Sequence, residues 1–273
     1  MNGRRTSTFT STSIAFFRMG AQATLSYPMS FILSQVGLAA GVVTLFFLNR
    51  IISNTPIVAN DFLSFAVIGI VGETVVTGAL RGLGVELDYA IQQGRLEMLL
   101  MEPLPWSAIP AGLALWPMVL SVGQALIALG IGLAFGIRIN VSHLLIALPL
   151  VALGVLSGLA IGIIAASIRV LAKRSDPVWL AYSIVSGLVA GTTVPINVLP
   201  FPLRAISWAL PTTYVNDGLR KLLLPDAGAV YGPSGLWSTV ILAAAVIPLL
   251  VVAVLAFNRS VQVGRRLGVL AGY

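Results

Sequence analysis

Long apolar runs separated by short polar and charged stretches set the pattern of this chain. Uncharged windows over Pro28–Leu48, Ala108–Phe135, Leu144–Ile168, Pro177–Val198 and Leu236–Phe257 predict helices, and Phe62–Leu80 predicts another, interrupted only by Glu73. Each window is close to the ~20 residues that a helix needs to cross the hydrocarbon of a bilayer. The pattern therefore predicts an all-α polytopic membrane protein with six transmembrane helices. Two further helical patterns, Leu203–Leu210 and Val215–Leu224, are too short to span and are divided by Pro200, Pro202, Pro211, Pro225 and Pro233. They predict a re-entrant helical hairpin dipping into the outer leaflet between the fifth and sixth spans. Residues 13–26 set Phe16, Phe17, Met19 and Leu25 beside Arg18 and Gln22, as an N-terminal interfacial helix would. A tail running straight into the first span is the alternative there.

Composition agrees with this reading. Of the 273 residues 58% are hydrophobic and 9% are charged, with a mean hydropathy of +0.98. Soluble domains carry about 25% charged residues, so the main solvent of this chain is lipid. The absence of cysteine excludes disulfide scaffolds, thiolate metal sites and cysteine nucleophiles. The net charge of +7 reads as membrane topology, with no nucleic-acid partner. With the N-terminus inside, the internal segments hold 11 basic residues: Arg4, Arg5, Arg18, Arg81, Arg95, Arg169, Lys173, Arg174, Arg259, Arg265 and Arg266. The external segments hold 5: Arg50, Arg138, Arg204, Arg220 and Lys221. That bias, with an even number of spans, predicts both termini in the cytoplasm. Met1–Thr12 is polar and no small-residue cleavage site follows the first apolar run, so the first span is expected to be retained.

Few residues carry recognisable chemistry. A nucleotide-binding P-loop needs a glycine-rich turn followed by Lys and Ser/Thr, and neither Lys173 nor Lys221 has that context. No catalytic or metal site and no cofactor is expected in the chain itself. Gly232-Pro233-Ser234-Gly235 fits the GxSG pattern of rhomboid-type proteases, and His143 lies on the same side of the membrane. An intramembrane serine hydrolase using Ser234 and His143 is thus one alternative; a helix N-cap is the plainer reading of the turn. Glu73 is the one acid well inside a span. It is either a pathway residue or a structural glutamate facing the bundle. An ATP-independent secondary transporter is the other alternative, although one acid makes a poor relay and no inverted repeat is visible.

Two segments carry a family resemblance. The stretch Gln93-Gly94-Arg95-Leu96-Glu97-Met98-Leu99-Leu100-Met101-Glu102-Pro103-Leu104-Pro105 resembles the loop after span two of the ABC type-2 exporter permeases, with its Gly-x-Leu-Glu-x-Leu core and Pro-Leu turn. Pro200-Phe201-Pro202, then Ile206 to Tyr214 and Gly218-Leu219-Arg220, resemble that family's segment between spans five and six. The resemblance implies a single transmembrane permease domain over 1–273. Within it lie a cytoplasmic tail and interfacial helix (1–26), a coupling loop (81–107), an external hairpin (199–235) and a cytoplasmic tail (258–273). It implies a bacterial inner-membrane subunit that pairs with a second permease copy or paralogue and with cytoplasmic ATPase subunits, which use the ATP. Arg95, Leu96, Glu97, Leu99, Leu100 and Glu102 would form the ATPase contact, with Lys173 and Arg174 as a smaller one; a loop helix packed on its own spans is the alternative. Glu73, Trp208 and Tyr214 are the candidate pathway or gate residues, with Tyr231 beside them in the external hairpin. The pathway looks apolar, which favours an amphipathic or hydrophobic cargo (a drug, antibiotic or lipid) over a charged polymer.

Because the chain has no cysteine, single introduced cysteines test the orientation. In intact cells Ser7→Cys and Ala271→Cys should resist a membrane-impermeant maleimide while Ala227→Cys reacts. The opposite pattern would overturn the assignment.

Overall fold

The computed structural model describes residues 16–22, 24–26, 28–52, 62–93, 108–172, 177–224 and 235–266. Helices α1 (Pro28–Ile52), α2 (Phe62–Gln92), α3 (Ala108–Ala134) and α4 (Leu144–Ala172) are followed by the short α5 (Pro177–Val189), α6 (Phe201–Ala209) and α7 (Pro211–Leu223). The long α8 (Gly235–Arg266) comes last, and no strand occurs among the described residues. Residues 16–22 and 24–26 are helical ahead of α1.

Among the described residues five helices, α1 to α4 and α8, are long and apolar enough to cross a membrane. The predicted fifth span differs. Its helix stops at Val189 after 13 residues, which at ~1.5 Å per residue covers about 20 Å of a ~30 Å hydrocarbon core. Gly191 then turns the chain with φ +76°, a conformation that suits glycine, and a 3-10 turn over Ile196–Val198 follows. Gly191 therefore ends the helix, and Pro195 keeps Val194 out of helical conformation so that it does not resume at once. The two short helices expected after it are present as α6 and α7, within a few residues of their predicted bounds.

Other helices run longer than hydropathy suggests. α2 continues past Leu80 to Gln92 although Arg81, Glu86 and Asp88 break the apolar run. Leu80, Leu83, Leu87 and Ala90 recur at helical spacing and are fully buried, so the inner face stays apolar while only the outer face turns polar. α8 extends to Arg266 in the same way, through buried Ala253, Phe257 and Val261. At the end of α3 the amides of Gly136 and Ile137 donate to the carbonyls of Leu133 and Gly132, and Gly136 adopts φ +89°. This is a Schellman stop, and glycine is the residue that permits it.

α2 sits at the centre and packs against α3, α4, α5 and α7, whereas α1 touches only the edges of α2 and α3. One apolar cluster joins Ile68, Val75, Leu150, Leu219 and Leu242; a second joins Leu83, Leu87, Leu113, Ile163 and Phe257. Along α4, Gly154, Gly158 and Gly162 form a four-residue ladder against α2, so close that a Cβ on Gly158 would lie 2.2 Å from the Val76 carbonyl oxygen. Small residues are what let transmembrane backbones approach this closely. The stretch ahead of α1 docks on α3: the Trp116 indole N–H donates to Thr24 Oγ1 at 2.7 Å, and Phe17 meets the Trp116 ring edge-on.

Gly158→Ala should therefore destabilise the helix pair by about 2 kcal/mol through overpacking against backbone. The same change at Gly123, which has open space around it, should be silent. Thermal unfolding of both variants in micelles checks the contrast.

Candidate functional site

A polar cluster lies where α5 breaks off against α2 and α7. Glu73 projects from α2, half-buried, and each of its carboxyl oxygens accepts a hydroxyl: Ser186 Oγ of α5 donates to Oε1, and Thr192 Oγ1 donates to Oε2 at 3.2 Å. Asn216 and Arg220, one helical turn apart on α7, close the cluster from the other side. Asn216 Nδ2 donates to the Ala190 carbonyl at 3.2 Å. The buried Arg220 guanidinium donates through Nη2 to the carbonyls of Thr192 (2.8 Å) and Phe65 (3.1 Å), and through Nε to Phe65 again (3.2 Å). It also stacks on the Phe65 ring, 3.4 Å from its centroid.

These bonds have a local cause. A helix leaves its last four carbonyls unpaired, and α5 ends on the buried residues 189–192. Ala190 and Thr192, just past its last turn, find their donors in the side chains of α7. A cation at a helix C-terminus also meets the negative end of the helix dipole, which favours Arg220 there. Two glycines of α2 make the approach possible. A Cβ on Gly69 would lie 2.0 Å from the Thr192 carbonyl oxygen, and one on Gly72 would lie 2.2 Å from Asn216 Oδ1. Tyr182 of α5 and Thr212 of α7 share a hydroxyl hydrogen bond of 2.7 Å alongside.

The structure sorts the sequence candidates. Glu73 is in this cluster, bonded to neighbours that the sequence did not single out. Trp208 and Tyr214 form a separate pair: the Tyr214 hydroxyl donates to the Trp208 carbonyl at 2.8 Å, and the Trp208 side chain is exposed. Tyr231 and the coupling residues Arg95, Leu96, Glu97, Leu99, Leu100, Glu102, Lys173 and Arg174 lie outside the described residues, as does Ser234. His143 is described. Its Nδ1–H donates to the Leu222 carbonyl at 3.0 Å, next to the Asn140 amide donating to Leu223 at 2.7 Å, and the two together cap the end of α7. Arg220, assigned from sequence to an external connection, is instead 4% exposed against α2. Ser186, Thr192 and Tyr182 carry little sequence signal because hydropathy treats hydroxyl residues as nearly neutral. The available signal is the Asn216/Arg220 pair at i, i+4, which falls on the same face of α7 as Leu219 and Leu223.

A match to the family model described as "ABC-2 type transporter" covers residues 9–224, most of the chain and every residue of this cluster. The chain belongs to the ABC-2 type transporter family. It is a multi-pass membrane protein, as its apolar helices require. It is also similar, at 24% identity over 185 residues, to proteins of Escherichia coli strains K12 and O157:H7, each named "Probable multidrug ABC transporter permease YbhR". The match takes in 67% of this chain and 50% of each relative. The chain thus spans about half the length of the curated relatives it matches.

Arg220→Ala should cost about 3 kcal/mol, since it leaves two buried carbonyls without their donor. Arg220→Lys should recover only part of that, because an ammonium lacks the fork that reaches both. Unfolding midpoints in micelles read both changes.

Proposed function

We propose that this chain is the permease subunit of an ATP-driven ABC exporter in a bacterial inner membrane, forming half of a translocation pathway. A second permease copy or paralogue supplies the other half, and separate cytoplasmic subunits hydrolyse the ATP. Membership of the ABC-2 family carries the reading. Physical features agree with it: α2, the most enclosed long helix, bears a charged residue in mid-span and continues as a rigid rod to Gln92. Its last described turn leads straight into the Gly94–Pro105 sequence that resembles the family's coupling loop. ATP-driven movement at that loop would thus reach Glu73 through one continuous helix, as rigid-body motion does in other switching proteins.

The expected cargo is amphipathic or hydrophobic, of the drug, antibiotic or lipid kind; the relatives' "multidrug" name supports that class. Polar groups gather around Glu73, so a pathway that passed them would not be wholly apolar.

Capture of the tagged chain from membranes in mild detergent should bring down an ABC ATPase. Glu97→Arg should weaken that capture about thirtyfold, the effect of reversing one member of a charge pair at an interface. If no ATPase accompanies the wild-type chain, the permease reading fails.

A further inference from the structure

Most of α2 is buried, but one stripe of it is open. Ile70, Glu73, Thr77 and Arg81 follow one another at three- and four-residue spacing, with Thr74 beside Glu73, and are partly or fully exposed, whereas Val75, Val76, Ala79 and Leu80 behind them are buried. α5 turns a matching face toward this stripe. Trp179 lies under the Arg81 guanidinium, 4.9 Å from ring centroid to Cζ, and Ser186 holds Glu73. Tyr182 and Ser183 fall between those two on the same face by helical spacing. On the other flank, Gln124 of α3 lies near Gly78: a Cβ built there would be 3.7 Å from Gln124 Oε1. The result is a polar seam from Arg81 to Glu73, eight residues or about 12 Å along the axis.

We propose that this seam holds the cargo and that Glu73 is its counter-charge, so that the cargo carries a cationic centre on an apolar body. Glu73 lies at the end of the seam farthest from the cytoplasmic end of α2. A carboxylate at that depth is costly until a positive charge joins it. Two hydroxyls orient it without supplying that charge, and it makes no ion pair among the described residues. Ser183 Oγ, on the same face of α5 as Ser186, is buried with no hydrogen-bond partner among the described residues and can accept a further donor. The aromatic side of the seam also suits a cation. The Arg81 guanidinium lies on the face of Trp179, and a cargo cation reaches that face by displacing it. Walls of Ile70 and the α5 apolar residues accommodate the rest of such a molecule. Arg81, at the exposed end, keeps its charge hydrated and about two helical turns from Glu73.

This inference deepens the permease reading and rests on it for its biological meaning, but its test needs no ATPase. Tetraphenylphosphonium and tetraphenylborate have nearly the same size and shape and opposite charge. Their binding to the purified chain in phosphatidylcholine nanodiscs, corrected for empty nanodiscs, isolates the sign of the charge. Wild type should prefer the phosphonium. Glu73→Gln should lower phosphonium affinity about tenfold, the effect of removing one charge-assisted contact, and should not weaken borate binding. Glu73→Asp, which keeps the charge, should retain the preference. Equal phosphonium binding by wild type and Glu73→Gln overturns the proposal, as does a parallel loss of both ions, which would mark Glu73 as purely structural. No preference in wild type overturns it as well. Charge-selective binding without ATPase capture would sink only the permease reading; capture without charge selectivity would sink only the role given to Glu73.

Discussion

A carbonyl group in the hydrocarbon of a bilayer has no water to bond, so a helix that stops part-way across must have its last carbonyls satisfied by protein. α5 is apolar and too short to span, and the bonds made at its end are of the kind that such a need calls for. Its end is capped by Asn216 and Arg220 of α7. α7 is itself a short helix with a C-terminus to satisfy, and Asn140 and His143 from the turn between α3 and α4 do so. α6 ends on the carbonyls of Ser207 and Trp208, which accept from Thr213 Oγ1 and the Tyr214 hydroxyl at 2.6 and 2.8 Å. Each interrupted helix thus ends on side chains or amides of another element, and three short elements become one body packed against α2, α4 and α8.

That body fits only because glycine keeps the long helices thin where it touches them. Gly69 and Gly72 admit the broken end of α5 and the Asn216 side chain, and Gly218 of α7 lies against Leu150 with no room for a Cβ. In lipid there is no hydrophobic gain from bringing two apolar helices together; close contact and hydrogen bonds must hold them. The glycine ladder of α4 against α2 and the capped ends of α5 and α7 are these two means used side by side. Together they explain why α2, which takes part in both, is the most enclosed of the spans, and why α1, which takes part in neither, remains at the edge.

Hydropathy made the long helices legible, because an uncharged apolar window of about 20 residues is matched to the bilayer and to little else. It undershot the ends of α2 and α8, where only one face stays apolar and a window average falls although the helix continues. It also read Pro177–Val198 as one span. Composition there is uniformly apolar, and what breaks the helix is Gly191 and Pro195, two residues whose effect is conformational. Glu73 could be picked out as one charge in an apolar run, but its partners could not. Ser186 and Thr192 lie more than a hundred residues away in the chain, and nothing in their own neighbourhoods distinguishes them from other serines and threonines of apolar segments. The family resemblance was readable for a different reason: it rests on short motifs in connecting segments, where turn chemistry fixes residue types more tightly than lipid does.

The break in α5 and the acid in α2 bear on each other. Were α5 continuous, Thr192 would remain on its helix and would not reach Glu73; the turn at Gly191 is what brings its hydroxyl to the carboxylate. Glu73 is thereby both an anchor for the end of α5 and a charge on an open face. A ligand that takes up its lone pairs competes with Ser186 and Thr192 for them. The end of α5, and through Asn216 and Arg220 the whole of α7, is then held less firmly when the site is filled than when it is empty. A ligand shifts a conformational equilibrium by the difference in its affinity for the two arrangements. Occupancy of the seam and loosening of the α5–α7 segment are therefore thermodynamically linked. In the proposed exporter, that linkage would let cargo prepare the segment for motion driven by a separate ATPase.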